Sequence, residues 1–201
     1  MTQAMIMIGA YLLGGIPFGY LLVRCKTGQD VRAMGSGNIG ATNVLRTTGR
    51  IAGIVTLLLD IAKGYLAVFL AGRLTGNDPL WTSAAAVAVL LGHAFPVFLK
   101  FRGGKAVASF IGAFLCLTPA PLLAAVGVFV AAVALSRYIS LGSILAAGCF
   151  PIAVWWISHP PPAVLAAAAF SGVFIIWRHR SNIRRLCARS EHRFSFGGRA
   201  Q

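Results

Sequence analysis

The stretch IAGIVTLLLDIAKGYLAVFLAG (Ile51–Gly72) decides the fold. It is apolar over the length of one bilayer crossing, about 20 residues of helix. Only Asp60 and Lys63 interrupt its hydrocarbon. Further apolar stretches lie on either side: Ala4–Val23, Leu80–Leu99, Ala106–Leu117, Pro121–Leu135, Ile139–Ser158 and Ala163–Trp177. A chain of 201 residues that is 58% hydrophobic, 11% charged and has a mean hydropathy of +0.80 lacks the composition of a soluble domain. The expected fold is an all-α integral membrane protein with seven transmembrane helices, some of them short. Ala106–Leu117 and Pro121–Leu135 fall short of an ordinary span, and Thr118, Pro119 and Pro121 break the helix between them. These two segments form either two short spans or a re-entrant hairpin. Both arrangements return the chain to the same side.

Charge sets the orientation. The net charge is +14, from 18 Lys and Arg against 4 acids. The cations lie between the apolar stretches, which fits anionic lipid and cytoplasmic loops better than nucleic acid. Arg24, Lys26, Arg32, Arg46 and Arg50 flank the first long loop, and Lys100, Arg102 and Lys105 the second. Arg137 marks a third connection, and seven arginines follow Trp177. The alternate connections are nearly bare: Arg73 faces Asp78, and His159–Pro162 has no Lys or Arg. This pattern expects the N-terminus outside and the C-terminus inside. A single membrane domain, 1–194, with a disordered tail, 195–201, is expected. The first segment starts without basic residues and stays uncharged from Thr2 to Val23, unlike a secretory signal.

Three polar loops therefore share the cytoplasmic side: GSGNIGATN (Gly35–Asn43), FRGGK (Phe101–Lys105) and WRHRSNIRR (Trp177–Arg185). Glycines, amides and cations together suit a phosphate. In the first loop, Thr42 or Asn43 is placed to cap a helix running through Arg46. FRGGK lacks both the earlier Gly and the following Ser or Thr of a nucleotide P-loop, since Leu99 and Ala106 stand there. What remains is a Gly-Gly-Lys turn at a helix start, a seat for phosphate. In the third loop, His179 and Asn182 share one face of a helix.

Other groups are read more plainly. Asp60 and Lys63, three residues apart inside a span, are expected to pair with each other. His93 and Pro96, in GHAFP, are expected to form a kink with a hydrogen-bonded imidazole. Cys25, Cys116, Cys149 and Cys187 give neither a disulfide framework nor zinc-ligand spacing. No metal or cofactor is expected.

The motifs GSGNIGATNVLR (Gly35–Arg46), GHAFPVFLKFRGGK (Gly92–Lys105) and WRHRSNIRRL (Trp177–Leu186) resemble those of the bacterial acyl-phosphate:glycerol-3-phosphate acyltransferases. LDIAKG (Leu59–Gly64), SRYISLGS (Ser136–Ser143) and EHRF (Glu191–Phe194) extend the resemblance over nearly the whole chain. The resemblance implies a seven-helix, multi-pass enzyme of the bacterial inner membrane whose active site faces the cytoplasm. It implies transfer of an acyl group from acyl phosphate to the 1-hydroxyl of sn-glycerol 3-phosphate, giving lysophosphatidic acid and phosphate in phospholipid synthesis. Its partners would be those two substrates and membrane lipid, with no nucleic acid and no obligate protein partner. The family's substrate residues fall on Ser36, Asn38, Arg46, Lys105, His179 and Asn182, with Ser36, Asn38, Lys105 and His179 nearest the chemistry. The family often continues Gly-Gly-Lys with Gly, where this chain has Ala106.

Acyl phosphate is an activated mixed anhydride, so direct attack by the glycerol hydroxyl suffices. Lys105 and Arg46 offset phosphate repulsion, while Ser36, Asn38 and Asn182 donate hydrogen bonds. The hydroxyl proton goes to His179 or to a substrate phosphate, and the scarcity of carboxylates favours the phosphate. The competing class, a transporter for a phosphorylated metabolite, fits the interrupted helices of Ala106–Leu135 but not the featureless outer turns.

Overall fold

In the computed structural model, residues 2–194 are described, and the expected tail, 195–201, lies outside them. Every regular element among the described residues is helical. The chain forms two compact units, Met1–Leu117 and Thr118–Gln201.

The first unit contains α1 (Thr2–Gly15), α2 (Phe18–Thr27), α3 (Ala41–Thr48), α4 (Arg50–Thr75), α5 (Pro79–Ala94) and α6 (Val107–Leu117). Short 3-10 turns occur at Val31–Ala33 and Val97–Leu99. Pro17, which has no N–H to donate, separates α1 from α2, so the apolar stretch Ala4–Val23 is two helices rather than one. Gly28 ends α2 in a left-handed conformation, φ +70°. Asp78 starts α5 by accepting a hydrogen bond from the Leu80 amide at 2.8 Å, with Pro79 at the first helical position.

Within this unit α4 packs against α3, α5 and α6, and α1 against α4 and α5. The buried stripe of α4 is small: Ala52, Gly53, Gly64, Ala67, Ala71 and Gly72. A Cβ on Gly64 would strike the backbone of Ser109, and one on Gly112 would strike the Ile61 carbonyl. Small residues thus bring α4 and α6 into near backbone contact, as helices packed within lipid require. The opposite faces carry exposed hydrocarbon, such as Leu58 and Leu70 on α4.

The second unit contains α7 (Pro119–Ser136), α8 (Ile139–Ser158), α9 (Pro162–Arg178) and α10 (Arg180–Cys187). α8 packs on both α7 and α9, and α10 lies against α8 and α9. Ile152, Trp156 and Val173 stand outward, 62%, 75% and 69% exposed. Large apolar side chains exposed in this number would aggregate in water, and a bilayer covers them.

Among the described residues, five helical segments are long and apolar enough to cross a membrane: Gln3–Thr27, Arg50–Thr75, Pro79–Leu99, Pro119–Ser136 and Ile139–Ser158. The pair α9 and α10, bent by 55°, makes a sixth when taken as one span. Val107–Leu117 is apolar but short. The protein is therefore a multi-pass membrane protein. One expectation needs correction. Pro119 and Pro121 do not shorten the segment that follows. The chain breaks at Thr118, and both prolines sit in the first turn of α7, where the missing N–H groups have no helical acceptor to lose. α7 consequently reaches Ser136 as a full-length helix.

Candidate active site

In the first unit, GSGNIGATN closes around Asn43. This side chain is only 2% exposed. Its Oδ1 accepts from the Ser36 amide at 2.9 Å. Its Nδ2 donates to the carbonyls of Asn38 at 2.9 Å and Met34 at 3.0 Å. The helix-capping role expected of Thr42 or Asn43 is thus corrected. Gly40 occupies the cap position of α3 with no side-chain cap bond, and Asn43 is consumed in folding the loop back on itself. Asn38 uses its Oδ1 on the Gly40 amide at 2.8 Å, so its Nδ2 is the group it can offer to an oxyanion. Ser36 and Arg46 are exposed, and Asn38 is half-buried. Just upstream, Arg32 grips Asp30 through both carboxylate oxygens, and the Arg32 hydrogen bond holds the Asp30 carboxyl below its usual range.

The FRGGK loop folds back onto the end of α5. The Gly103 amide donates to the Ala94 carbonyl at 3.2 Å, and the Gly104 amide to the His93 carbonyl at 3.1 Å. Gly104 lies against the His93 ring, where any Cβ would collide with Nε2. The residue after Lys105 is in the left-handed region, with Ala106 at φ +64°. That conformation explains why glycine suits the position and shows that Ala106 adopts it at a cost of about 1 kcal/mol. Helix α6 then starts at Val107, so half-buried Lys105 stands immediately before its N-terminal amides. Amides and ammonium together attract a phosphate. GHAFP does not kink a helix. α5 ends at Ala94, and Pro96 begins the turn.

These two loops sit at one end of the first unit, because their apolar residues share one cluster. Val31, Ile39 and Val44 from the first loop region meet Leu99 from the second, along with Val23 and Ala52. The structure thus brings together the regions bearing Ser36, Asn38, Arg46 and Lys105.

In the second unit, His179 is the hinge between α9 and α10 rather than a residue within one helix. Its Nδ1 lies 2.8 Å from the Ile175 carbonyl, which can only accept, so Nδ1 carries a proton. Nε2 is then the basic nitrogen of the neutral ring. His179 is 3% exposed and Asn182 is 5% exposed. Asn182 Nδ2 donates to Glu191 Oε1 at 2.6 Å. Ser140 Oγ donates to the same oxygen at 2.8 Å, and Arg185 Nε to Oε2 at 2.6 Å. Desolvation alone would raise the Glu191 carboxyl, but bonds from Arg185, Asn182 and Ser140 outweigh it and hold it below its usual range. Beyond it, the Phe194 amide reaches the Arg137 carbonyl at 2.6 Å, and Arg193 lies over the Tyr138 ring. The SRYIS, WRHRSN and EHRF motifs therefore meet in this unit.

Residues 4–189 match the family model for glycerol-3-phosphate acyltransferase. The chain belongs to this family. It is 50% identical to the glycerol-3-phosphate acyltransferase of Trichlorobacter lovleyi, covering 92% of this chain and 94% of that one. It is 46% identical to that of Desulforamulus reducens over 94% of each chain. Among solved structures it is similar to PlsY, an integral membrane glycerol 3-phosphate acyltransferase, in its glycerol 3-phosphate form. That match has a TM-score of 0.92 and 38% identity, and it covers 97% of this chain and 96% of the other. The lysophosphatidic acid form of PlsY matches with a TM-score of 0.89 at 36% identity.

Sequence reading missed two hubs of this acyltransferase. Asn43 reads only as an alternative to Thr42 for a helix cap, and nothing in its spacing signals the loop tie that the structure shows. Glu191 reads as one acid in a basic tail, although EHRF is one of the stretches that carry the family resemblance. Only the fold reveals that it gathers Asn182, Arg185 and Ser140.

Proposed function

We propose that this acyltransferase moves the acyl group of acyl phosphate onto the 1-hydroxyl of glycerol 3-phosphate, releasing lysophosphatidic acid and inorganic phosphate. The names of its relatives supply the acceptor, and PlsY has been captured with glycerol 3-phosphate and with lysophosphatidic acid. The motifs of the chain, which match the acyl-phosphate-dependent family, supply the donor.

One observation carries the chemistry. All four acids of the chain have structural partners: Asp30 holds Arg32, Asp60 pairs with Lys63, Asp78 starts α5 and Glu191 holds Asn182. No carboxylate is left as an evident general base, and an already activated acyl phosphate suits such a site. In the proposed step the glycerol oxygen attacks the acyl carbonyl, the carbonyl–phosphate C–O bond breaks, and phosphate departs. The hydroxyl proton passes to a substrate phosphate oxygen, with His179 Nε2 as the other acceptor. Lys105 and Arg46 neutralise the phosphates, and Ser36, Asn38 and Asn182 donate hydrogen bonds. Ser36, Asn38, Lys105 and His179 act closest to the reacting atoms.

The Lys and Arg asymmetry supports seven crossings of a bacterial inner membrane, with the N-terminus outside and the polar loops in the cytoplasm. In this reading residues 1–194 work as one catalytic membrane domain without an obligate protein partner, cofactor or metal. The test is product analysis of purified protein supplied with glycerol 3-phosphate and one donor at a time. Acyl phosphate should yield lysophosphatidic acid, whereas acyl-CoA and acyl-carrier protein should not. Equal turnover with acyl-CoA, or chelator-induced loss restored by metal, contradicts the proposal.

A further inference from the structure

Below the FRGGK turn lies a chain of polar groups that the proposed mechanism does not use. Lys63 Nζ lies 2.8 Å from Asp60 Oδ1. The same Nζ donates to the Ile16 carbonyl at 2.8 Å, at the Pro17 break between α1 and α2. Asp60 Oδ1 lies 3.6 Å from His93 Nδ1. His93 Nδ1 in turn is 3.2 Å from Ser109 Oγ. No side chain in this chain of contacts is more than 4% exposed. Buried charge at membrane depth is costly, so its retention calls for a role.

The position of His93 supplies one. Its carbonyl accepts from the Gly104 amide, and its ring lies against the Gly104 Cα. Its Nδ1 contacts Ser109, in the first turn of α6. Lys105 therefore has both of its flanks, Gly104 before it and Ser109 after it, seated on a single imidazole. The strained Ala106 lies inside the same short arc. The Asp60 carboxylate lies 3.6 Å from that imidazole, and Lys63, paired with Asp60, ties the carboxylate to the first helix break.

We propose that Asp60, Lys63, His93 and Ser109 form a positioning network that aims Lys105 at the substrate phosphate. The network touches no substrate and acts through the backbone on either side of Lys105. A point charge displaced by about 1 Å can lose up to 100-fold in rate, so a buried network is a proportionate device. This inference rests on the reading of Lys105 as a phosphate ligand.

The test is a double-mutant cycle in purified protein. His93→Gln keeps a side chain that can donate and accept but changes the seat, and Ser109→Ala removes only the contact on the other flank. Each should lower kcat/KM for glycerol 3-phosphate by about 10- to 100-fold, while the protein remains monodisperse with near-normal melting. In a Lys105→Ala background the same changes should cost no more than about twofold, because the residue they position is gone. Full multiplicative losses in that background would show a general structural role and overturn the proposal. Wild-type activity in both His93→Gln and Ser109→Ala would overturn it as well. If Lys105→Ala itself is fully active, the site reading fails and this inference falls with it. An inactive Lys105→Ala with unaffected network variants leaves the site reading standing and removes only the network.

Discussion

Glu191 gives the sharpest quantitative expectation. Its Oε1 takes two bonds from side chains that are 5–6% exposed, those of Asn182 and Ser140, and its Oε2 takes one from Arg185. Glu191→Ala leaves two buried donors without their acceptor, at about 1–3 kcal/mol each. The Arg185 side chain is 39% exposed and can turn to water, so its lost pair adds little. The expected loss is about 2–6 kcal/mol. Glu191→Gln keeps an acceptor for Ser140 and Asn182 but places an amide beside Arg185, so it should cost only about 1–2 kcal/mol. At about 2–4 °C per kcal/mol for a chain of this size, Glu191→Ala should melt on the order of 10 °C below wild type in detergent, and Glu191→Gln a few degrees below. Acid offers an independent check. The folded carboxyl titrates lower than the unfolded one, so its stabilisation is complete above the unfolded value and is lost as pH falls through the folded value. Wild type should therefore lose stability relative to Glu191→Gln as pH drops below about 4. Indistinguishable melting of Glu191→Ala, Glu191→Gln and wild type would refute the account of this hub.

Further expectations follow from the loops and the topology. Lys105→Ala should lower kcat/KM by about 10- to 150-fold, the value of a charge-assisted bond, with little change in melting, as steady-state assays would show. Asn43→Ala removes the acceptor of the Ser36 amide and the donor to Asn38 and Met34, so stability should fall by about 2–3 kcal/mol, read as a lower melting temperature, and KM for glycerol 3-phosphate should rise. In a cysteine-free background, Ala33→Cys and Ser190→Cys should label only from the cytoplasm and Asn77→Cys only from outside. Periplasmic labelling at Ala33→Cys would reverse the orientation.

The helical membrane character was legible in hydropathy, because lipid demands the same apolar length whatever the fold around it. The Asp60–Lys63 pair was legible as well, since two opposite charges three residues apart on a buried helix face have few alternatives. Helix ends were less so. The break read from Thr118, Pro119 and Pro121 is where the structure has it, yet that both prolines fall in the first turn of α7, leaving that helix full length, is visible only by hydrogen-bond accounting. The regions bearing Ser36, Asn38, Arg46 and Lys105 were identifiable as phosphate-suited from their composition. Their common seat was not, because Val31, Ile39, Val44 and Leu99 are unremarkable aliphatics until the fold gathers them. Asn182 and Glu191 lie nine residues apart across a helix end, a separation that no periodic pattern predicts.

The identity of the base can be settled by pH, because the two candidates titrate for different reasons. His179 holds Nδ1–H on the Ile175 carbonyl, which fixes the ring and presents Nε2 as the proton acceptor. A histidine base would contribute a limb in kcat that belongs to the enzyme and vanishes in His179→Ala. A phosphate monoester loses its second proton near pH 6, so a substrate base contributes a limb that belongs to the ligand. The commitment of all four carboxylates to structural partners favours the ligand. His179→Ala should accordingly raise KM more than it lowers kcat and leave the shape of the profile unchanged. Replacing glycerol 3-phosphate by a fluorinated phosphonate analogue, which is more acidic, should move the limb to lower pH in both wild type and His179→Ala. A limb that ignores the analogue and disappears with His179 would make the imidazole the base and refute substrate assistance.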